Sequence, residues 1–152
     1  MIDTSELVGD LVTALQAIAD LVTALGGDET VIFAYADSYP SDVSLAHAIH
    51  TMPAPGLMVA WQGTQPASFG GMDIWKHHIT LFVRVTGANY STVFRAVAKG
   101  VPNPSTNTVP MMNYTVHPDC YPMDLPHIQR QTDAEGLDYF EIPLSFTEIG
   151  DN

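Results

Sequence analysis

The sequence predicts an α+β fold: an antiparallel-rich sheet of four or five strands, with a long N-terminal helix and one or two shorter helices packed on one face. Residues 7–25 place apolar side chains at three- and four-residue steps, as an amphipathic helix does. Residues 75–86 alternate apolar and polar side chains, and residues 127–149 contain two strand-like runs joined by a short turn. The length of 152 residues predicts a single domain spanning 1–152.

The N-terminal helix is predicted over residues 7–25. One of residues 3–5 (Asp, Thr, Ser) can cap its start, and the pair Gly26-Gly27 ends it. Because Asp20 can also cap a helix, a break near Ala19 is an open alternative.

A short strand and a second helix follow. Residues 31–35 are β-branched and aromatic, which predicts a strand. Ser41 or Asp42 can cap a helix that runs through Ile49 and stops before Pro53.

The middle of the chain predicts two strands and a loop. Residues 57–61 are apolar throughout, which indicates a central strand, and residues 62–73 contain Gly and Ser and predict a loop. The clearest strand covers residues 75–86. One of its faces holds Trp75, His77, Ile79, Leu81, Val83 and Val85.

A further helix and a hairpin are predicted in the C-terminal half. The helix begins at Asn89 or Ser91 and stops at Gly100. Residues 127–132 are predicted to pair with residues 137–149 across a four-residue turn. Pro143 in the second of these strands indicates an edge position or a bulge.

A proline-rich arm separates that helix from the hairpin. Residues 101–126 contain six prolines together with Met, Tyr and Val side chains. Met and Tyr are enriched in interface cores, and proline reduces the conformational entropy that a segment loses when it binds a partner. The arm is therefore a candidate assembly contact. Its candidate interface residues are Met111, Met112, Tyr114, Tyr121 and Met123. The alternative is a loop folded over its own core, with an extra strand at residues 113–117.

The charge distribution excludes several classes of function. The net charge is −12, with only five Lys and Arg residues, four of them within residues 76–118. Binding to DNA, to RNA or to an anionic membrane requires many Lys and Arg side chains, so none of these functions is expected. Only 14% of residues are charged, which predicts surface that is buried in an assembly.

Motifs for catalysis are weak. His47 and His50 are spaced to approach one metal ion, but no third ligand accompanies them, so neither a metal nor another cofactor is expected. Cys120 lies in no nucleophile motif, and a single cysteine excludes an internal disulfide, as expected in a reducing cytosol. The N-terminus lacks the basic region of a signal peptide. The sequence therefore predicts a protein that is not an enzyme.

Several segments together resemble one protein family. They are the helix end 25–28, the strand 32–37, residues 52–55, residues 59–63, residues 75–77 and the acidic strand 140–149. In their order they resemble the tail terminator (tail completion) proteins of long-tailed bacteriophages. The resemblance spans nearly the whole chain as a pattern of elements.

The resemblance implies a structural virion protein without catalytic residues. Such a protein forms a ring, expected to be a hexamer, that caps the head-proximal end of the tail tube and joins it to the neck. Its expected partners are further copies of itself, the tail tube protein and a neck or head-completion protein. It is expected in the virion tail or neck, and in the host cytoplasm during assembly. A head-tail connector is the alternative, and a small metal-dependent hydrolase using His47 and His50 is a more distant one.

The resemblance also implies that DNA passes through the ring. A channel that does not retain DNA is expected to be acidic, because phosphates bind where Lys and Arg cluster. The candidate lumen acids are Asp133, Glu135, Asp138 and Glu141. The alternative is that these carboxylates face solvent on the outer wall.

Overall fold

The computed structural model describes residues 3–69, 72–85, 89–99, 120–122 and 127–149. It confirms the α+β class: a mixed, mostly antiparallel sheet with an N-terminal helix and shorter helices. The helices are α1 (Thr4–Gln16), α2 (Ala19–Ala24), α3 (Tyr35–Ser38), α4 (Leu45–Thr51) and α5 (Asn89–Lys99), with a 3-10 turn at Glu29–Val31. The strands are β1 (Ile32–Ala34), β2 (Gly56–Phe69), β3 (Met72–Arg84), β4 (Cys120–Pro122), β5 (Gln129–Thr132) and β6 (Asp138–Ile149).

The six described strands occupy five positions across the sheet. The order is β1-β2-β3-β6-β4, and β5 pairs with the same edge of β6 as β4 does, at the opposite end of that strand. Among the described strands, only β1 is parallel to its neighbour, and the other pairs are antiparallel. This matches the predicted antiparallel-rich sheet.

The N-terminal helix is divided, as the sequence alternative allowed. The carboxylate of Asp3 caps α1 by accepting from the backbone N–H of Ser5, and the helix ends before Ile18. After α2, Gly26 and Gly27 adopt φ of 94° and 87°, and the N–H of Gly27 donates to the carbonyl of Val22 at 2.8 Å. This left-handed ending needs glycine and stops the helix.

The core is divided by the sheet, and helices cover both faces of it. Helices α1, α2 and α5 pack on one face, against side chains such as Val59 and Phe146. Helix α4 packs on the other face, where Ile49 and Met52 meet Phe82. The prediction that the helices share one face is therefore wrong for α4. The side chains of residues 57–60 are buried on both faces of β2. A helix must therefore pack on the second face as well.

The loop predicted at residues 62–73 is instead the end of a long hairpin. Strands β2 and β3 stay in register from Gly56↔Arg84 to Phe69↔Met72, with an irregularity between Trp61 and Gly63. Strand β6 pairs with β3 as far as Ile74. Pairing with this well-formed neighbour overrides the weak strand propensity of the Gly- and Ser-containing segment.

Smaller differences concern caps and strand ends. Ser44, rather than Ser41 or Asp42, caps α4, since its hydroxyl accepts from the N–H of His47. Strand β1 ends at Ala34, and the chain then turns into α3.

The C-terminal hairpin is confirmed as β5 and β6. Its second strand is interior, although Pro143 had indicated an edge or a bulge. Pro143 pairs with Thr80 of β3 and lies between the segments of β6 that pair with β5 and with β4. The missing N–H of proline is tolerated there because the described neighbours on that side stop short of it.

Candidate assembly surface

One edge of the sheet is left open within the described residues. Strand β1 covers β2 only from Leu57 to Val59, because the chain turns into α3 after Ala34. From residue 60 to residue 69, the backbone of β2 pairs with β3 on one side and with no described strand on the other. We call this side of residues 60–69 the β2 edge. Unpaired backbone of this kind is a template for another chain.

A groove of about 230 Å³ lies at the start of the β2 edge. Its walls come from the first turns of α1, the junction of β1 with α3, and the end of the buried part of β2. Trp61 forms part of the wall and is 46% exposed. The lining also includes Val8 and Tyr35. An exposed tryptophan beside an apolar depression is typical of a protein contact.

A polar network runs from the exposed Trp61 to a buried pair and links the neighbouring strands. The indole Nε1–H of Trp61 donates to Oγ1 of Thr64 at 3.0 Å, and Oγ1 lies 2.9 Å from Nδ1 of His77. Nε2 of His77 lies 3.0 Å from Oε1 of Glu148. The network crosses β2, β3 and β6, so it fixes the side chains beside the β2 edge to the centre of the sheet.

A second polar cluster joins α4 to the β5–β6 turn; we call it the His50 cluster. Nδ1 of His50 lies 2.8 Å from Oδ2 of Asp133, and Nε2 lies 2.8 Å from Oε2 of Glu135. Oδ1 of Asp133 accepts from the backbone N–H groups of Glu135 and Leu137. Arg84 donates to the carbonyl of His50 at 3.1 Å.

These contacts shift the protonation of both partners. The hydrogen bond to Asp133 raises the pKa of His50, and the charge of Glu135 adds to this. The hydrogen bond from His50 and the backbone N–H of Leu137 lower the pKa of Asp133. The cluster is therefore an ion pair that favours imidazolium and carboxylate together.

The His50 cluster is not arranged as a metal centre. Both imidazole nitrogens of His50 already bond to carboxylates. His47, one turn earlier, is exposed and lines the same shallow depression. Within the described ranges, no group of three or more His, Cys, Asp or Glu side chains could hold a metal ion.

The four candidate lumen acids are separated by the sheet. Asp133 and Glu135 meet α4, and Glu141 lies on the same face of β6 as Tyr139, which packs with the α4 core. Asp138 alternates with Tyr139 and so points to the opposite face. There it lines a depression with Arg130, which lowers its pKa by donating to the carboxylate. One continuous acidic wall built from all four is therefore not present in a single subunit.

Most of the candidate interface residues lie outside the described part of the chain. These are Met111, Met112, Tyr114 and Met123. Of Tyr121 and Cys120, the structure describes only the backbone, which lies in β4 at the opposite side of the sheet from the β2 edge.

Sequence reasoning missed the β2 edge. Its one visible signal was an aromatic residue, Trp61, at the end of an otherwise aliphatic strand and followed by polar Gln62 and Gly63. The edge also depends on the residue at which β1 ends. The sequence pattern of β2 carries no information about that residue.

A scan of the chain against models of known protein families gives no match, and neither does a comparison with curated proteins. Within the described ranges, each helix is too short or too polar to cross a membrane.

Proposed function

We propose that this chain is a tail terminator of a long-tailed phage. Six copies form a ring that caps the head-proximal end of the tail tube and joins it to the neck. The protein acts in the virion, after assembly in the host cytoplasm, and has a structural rather than a catalytic role.

The observation that carries the proposal is the β2 edge. At one side of the sheet it gives the subunit a stretch of β2 whose outer side no described strand covers, together with the exposed Trp61, while β4 lies at the other side. In a ring, each subunit contacts its two neighbours head to tail, so it needs two different surfaces. The two sides of this sheet meet that requirement.

The fold and the charge are consistent with this role. The order of elements follows the pattern on which the resemblance rests, with the long hairpin β2–β3 in place of the predicted loop. The net charge of −12 is compatible with a channel that does not retain DNA.

The test is the growth of tail tubes from the tube protein of the same phage, with and without this chain. We expect the chain to bind at one tube end and to stop growth, so that tubes become shorter as its concentration rises. Tubes of unchanged length with no bound chain would contradict the proposal. Binding to DNA-filled heads in the absence of tubes would instead identify the head-tail connector alternative.

A further inference from the structure

We infer that Thr64 is a positioning residue of the β2 edge: its hydroxyl holds the indole of Trp61 in the orientation in which a second copy of this chain contacts it. The inference rests on the proposed ring. It adds the group that orders the contact residue before the subunits meet.

The hydroxyl of Thr64 has a fixed direction in the polar network. The indole Nε1–H of Trp61 can only donate, so Oγ1 of Thr64 accepts from it at 3.0 Å. Nε2 of His77 faces the carboxylate of Glu148 at 3.0 Å, and a carboxylate accepts, so Nε2 carries a proton. The hydroxyl proton of Thr64 is then left for Nδ1 of His77, 2.9 Å away. If the hydroxyl turned away from this arrangement, it would leave a nitrogen of the buried imidazole without a partner, which is costly.

The bond to Thr64 determines which part of Trp61 a partner can contact. The side chain of Trp61 is 46% exposed, yet its one polar group is bonded within the subunit. The exposed part is therefore apolar ring, and a partner can cover it without supplying a hydrogen-bond acceptor. A side chain that is already held in one orientation also loses less conformational entropy when a partner binds.

The charge around the β2 edge indicates which surface covers it. Asp37 lines the groove beside Trp61, and the neighbouring helix α1 carries Glu6 and Asp10. All five Lys and Arg residues of the chain lie on β3, α5 and β5. Two copies that met through this same side would place acid against acid, which is unfavourable. The complementary cover is a different side of the second copy, one that carries bases, as a head-to-tail ring requires.

The test compares Thr64→Val with Thr64→Ser in the full-length chain. Both are made in a Trp75→Phe parent, so that Trp61 is the one tryptophan left. Thr64→Val keeps the shape of the side chain and loses the hydroxyl, whereas Thr64→Ser keeps the hydroxyl. In the dilute, unassembled subunit, time-resolved fluorescence anisotropy should show faster local motion of Trp61 in Thr64→Val and unchanged motion in Thr64→Ser.

Assembly of the same variants is measured by light scattering. Association should be about three- to tenfold weaker for Thr64→Val, because the indole must then be immobilised on binding, and close to the parent for Thr64→Ser.

A third variant separates this role from stability, because Thr64→Val also removes a partner of His77. Trp61→benzothienylalanine replaces the indole N–H by sulfur and leaves the bond between Thr64 and His77 intact. We expect the same loss of association as in Thr64→Val, with a urea unfolding midpoint close to that of the parent.

The outcomes separate this inference from the proposed function. If Thr64→Val matches the parent in Trp61 motion and in association while the parent forms rings, the inference is overturned and the ring stands. Equal weakening by Thr64→Val and Thr64→Ser would assign the effect to side-chain shape and also overturn the inference. A parent that neither associates nor caps tubes would overturn the proposed function and the inference together.

Discussion

His77 and Glu148 form a polar pair across the centre of the sheet, with Nε2 and Oε1 3.0 Å apart. His77 is 0% exposed and Glu148 is 4% exposed. The imidazole N–H donates to the carboxylate, while Nδ1 bonds to Thr64. Because buried polar groups are costly without partners, this network favours one register of β2, β3 and β6.

Removing the imidazole is expected to destabilise the subunit strongly. His77→Leu takes a donor from Glu148, and breaking one side of a buried pair costs about 3 kcal/mol or more. His78→Leu is the matched control, because His78 is only partly buried and bonds to exposed Gln65. Urea unfolding at one fixed protein concentration measures the unfolding free energy of both variants. Equal stabilities of the two variants would show that the network does not hold the sheet.

The His50 cluster predicts a pH-dependent part of the stability. The pKa of His50 is raised, so its contribution is complete below its ordinary pKa of about 6.5 and is lost as the pH rises through the raised value. The pKa of Asp133 is lowered, so its contribution is present above about 3.9 and is lost as the pH falls further. The pair is strongest between these limits.

His50→Gln is therefore expected to lower the melting temperature most near pH 6, with a smaller difference from the wild type near pH 9. His47→Gln, one turn away and exposed, should follow the wild type throughout. Thermal unfolding from about pH 5 to about pH 9 measures both variants. A His50→Gln difference that stays constant over this range would rule out the ion pair.

Trp61 is expected to matter for assembly rather than for folding. Trp61→Ala removes an exposed aromatic side chain from the β2 edge and should change the unfolding free energy by about 1 kcal/mol or less. Loss of an interface tryptophan typically weakens association by about 30-fold or more. Tyr90→Ala, at a 40% exposed position stacked on Phe140, is the control. Light scattering that finds both variants equally assembled would exclude Trp61 as a contact.

The proline-rich arm is expected to be dispensable for folding. Deletion of residues 103–114 removes three of the candidate interface residues, Met111, Met112 and Tyr114. We expect a subunit with unchanged circular dichroism that no longer joins rings or tubes, since truncating a contact costs binding more than folding. If the deletion unfolds the subunit, the arm belongs to the core.

Charge reversal at the candidate lumen acids is expected to depend on the face of the sheet. If the α4 face lines the channel, Glu141→Lys should slow DNA ejection by creating a phosphate contact. Asp138→Lys, on the opposite face, should leave the rate unchanged. Ejection rates of phages carrying each variant measure this. A slower rate only for Asp138→Lys would place the other face at the channel.

The parts of the fold predicted from sequence are those with strong local periodicity. The α1–α2 pattern and the β5–β6 hairpin each record a buried face in a few consecutive residues. The side taken by α4 was not predictable, because residues 57–60 are apolar on both faces of β2. The end of β2 depends on pairing with β3, which outweighs the turn signals of Gly63 and Ser68.

The candidate site was less predictable because it is built from distant segments. His50 and Asp133 are 83 residues apart, and nothing in either neighbourhood signals the other. The β2 edge exists because β1 stops at Ala34, more than twenty residues before the strand it leaves uncovered. The low charge content predicted a surface that is buried in an assembly. The strand order is needed to locate one candidate for it, the β2 edge.

The most direct test of the proposed ring is an electron-microscopy reconstruction of the chain assembled at the end of a tail tube. We expect a closed ring of six subunits, in which the β2 edge and Trp61 lie at every subunit junction. A ring whose junctions leave this edge in solvent, or tube ends without any ring, would contradict it.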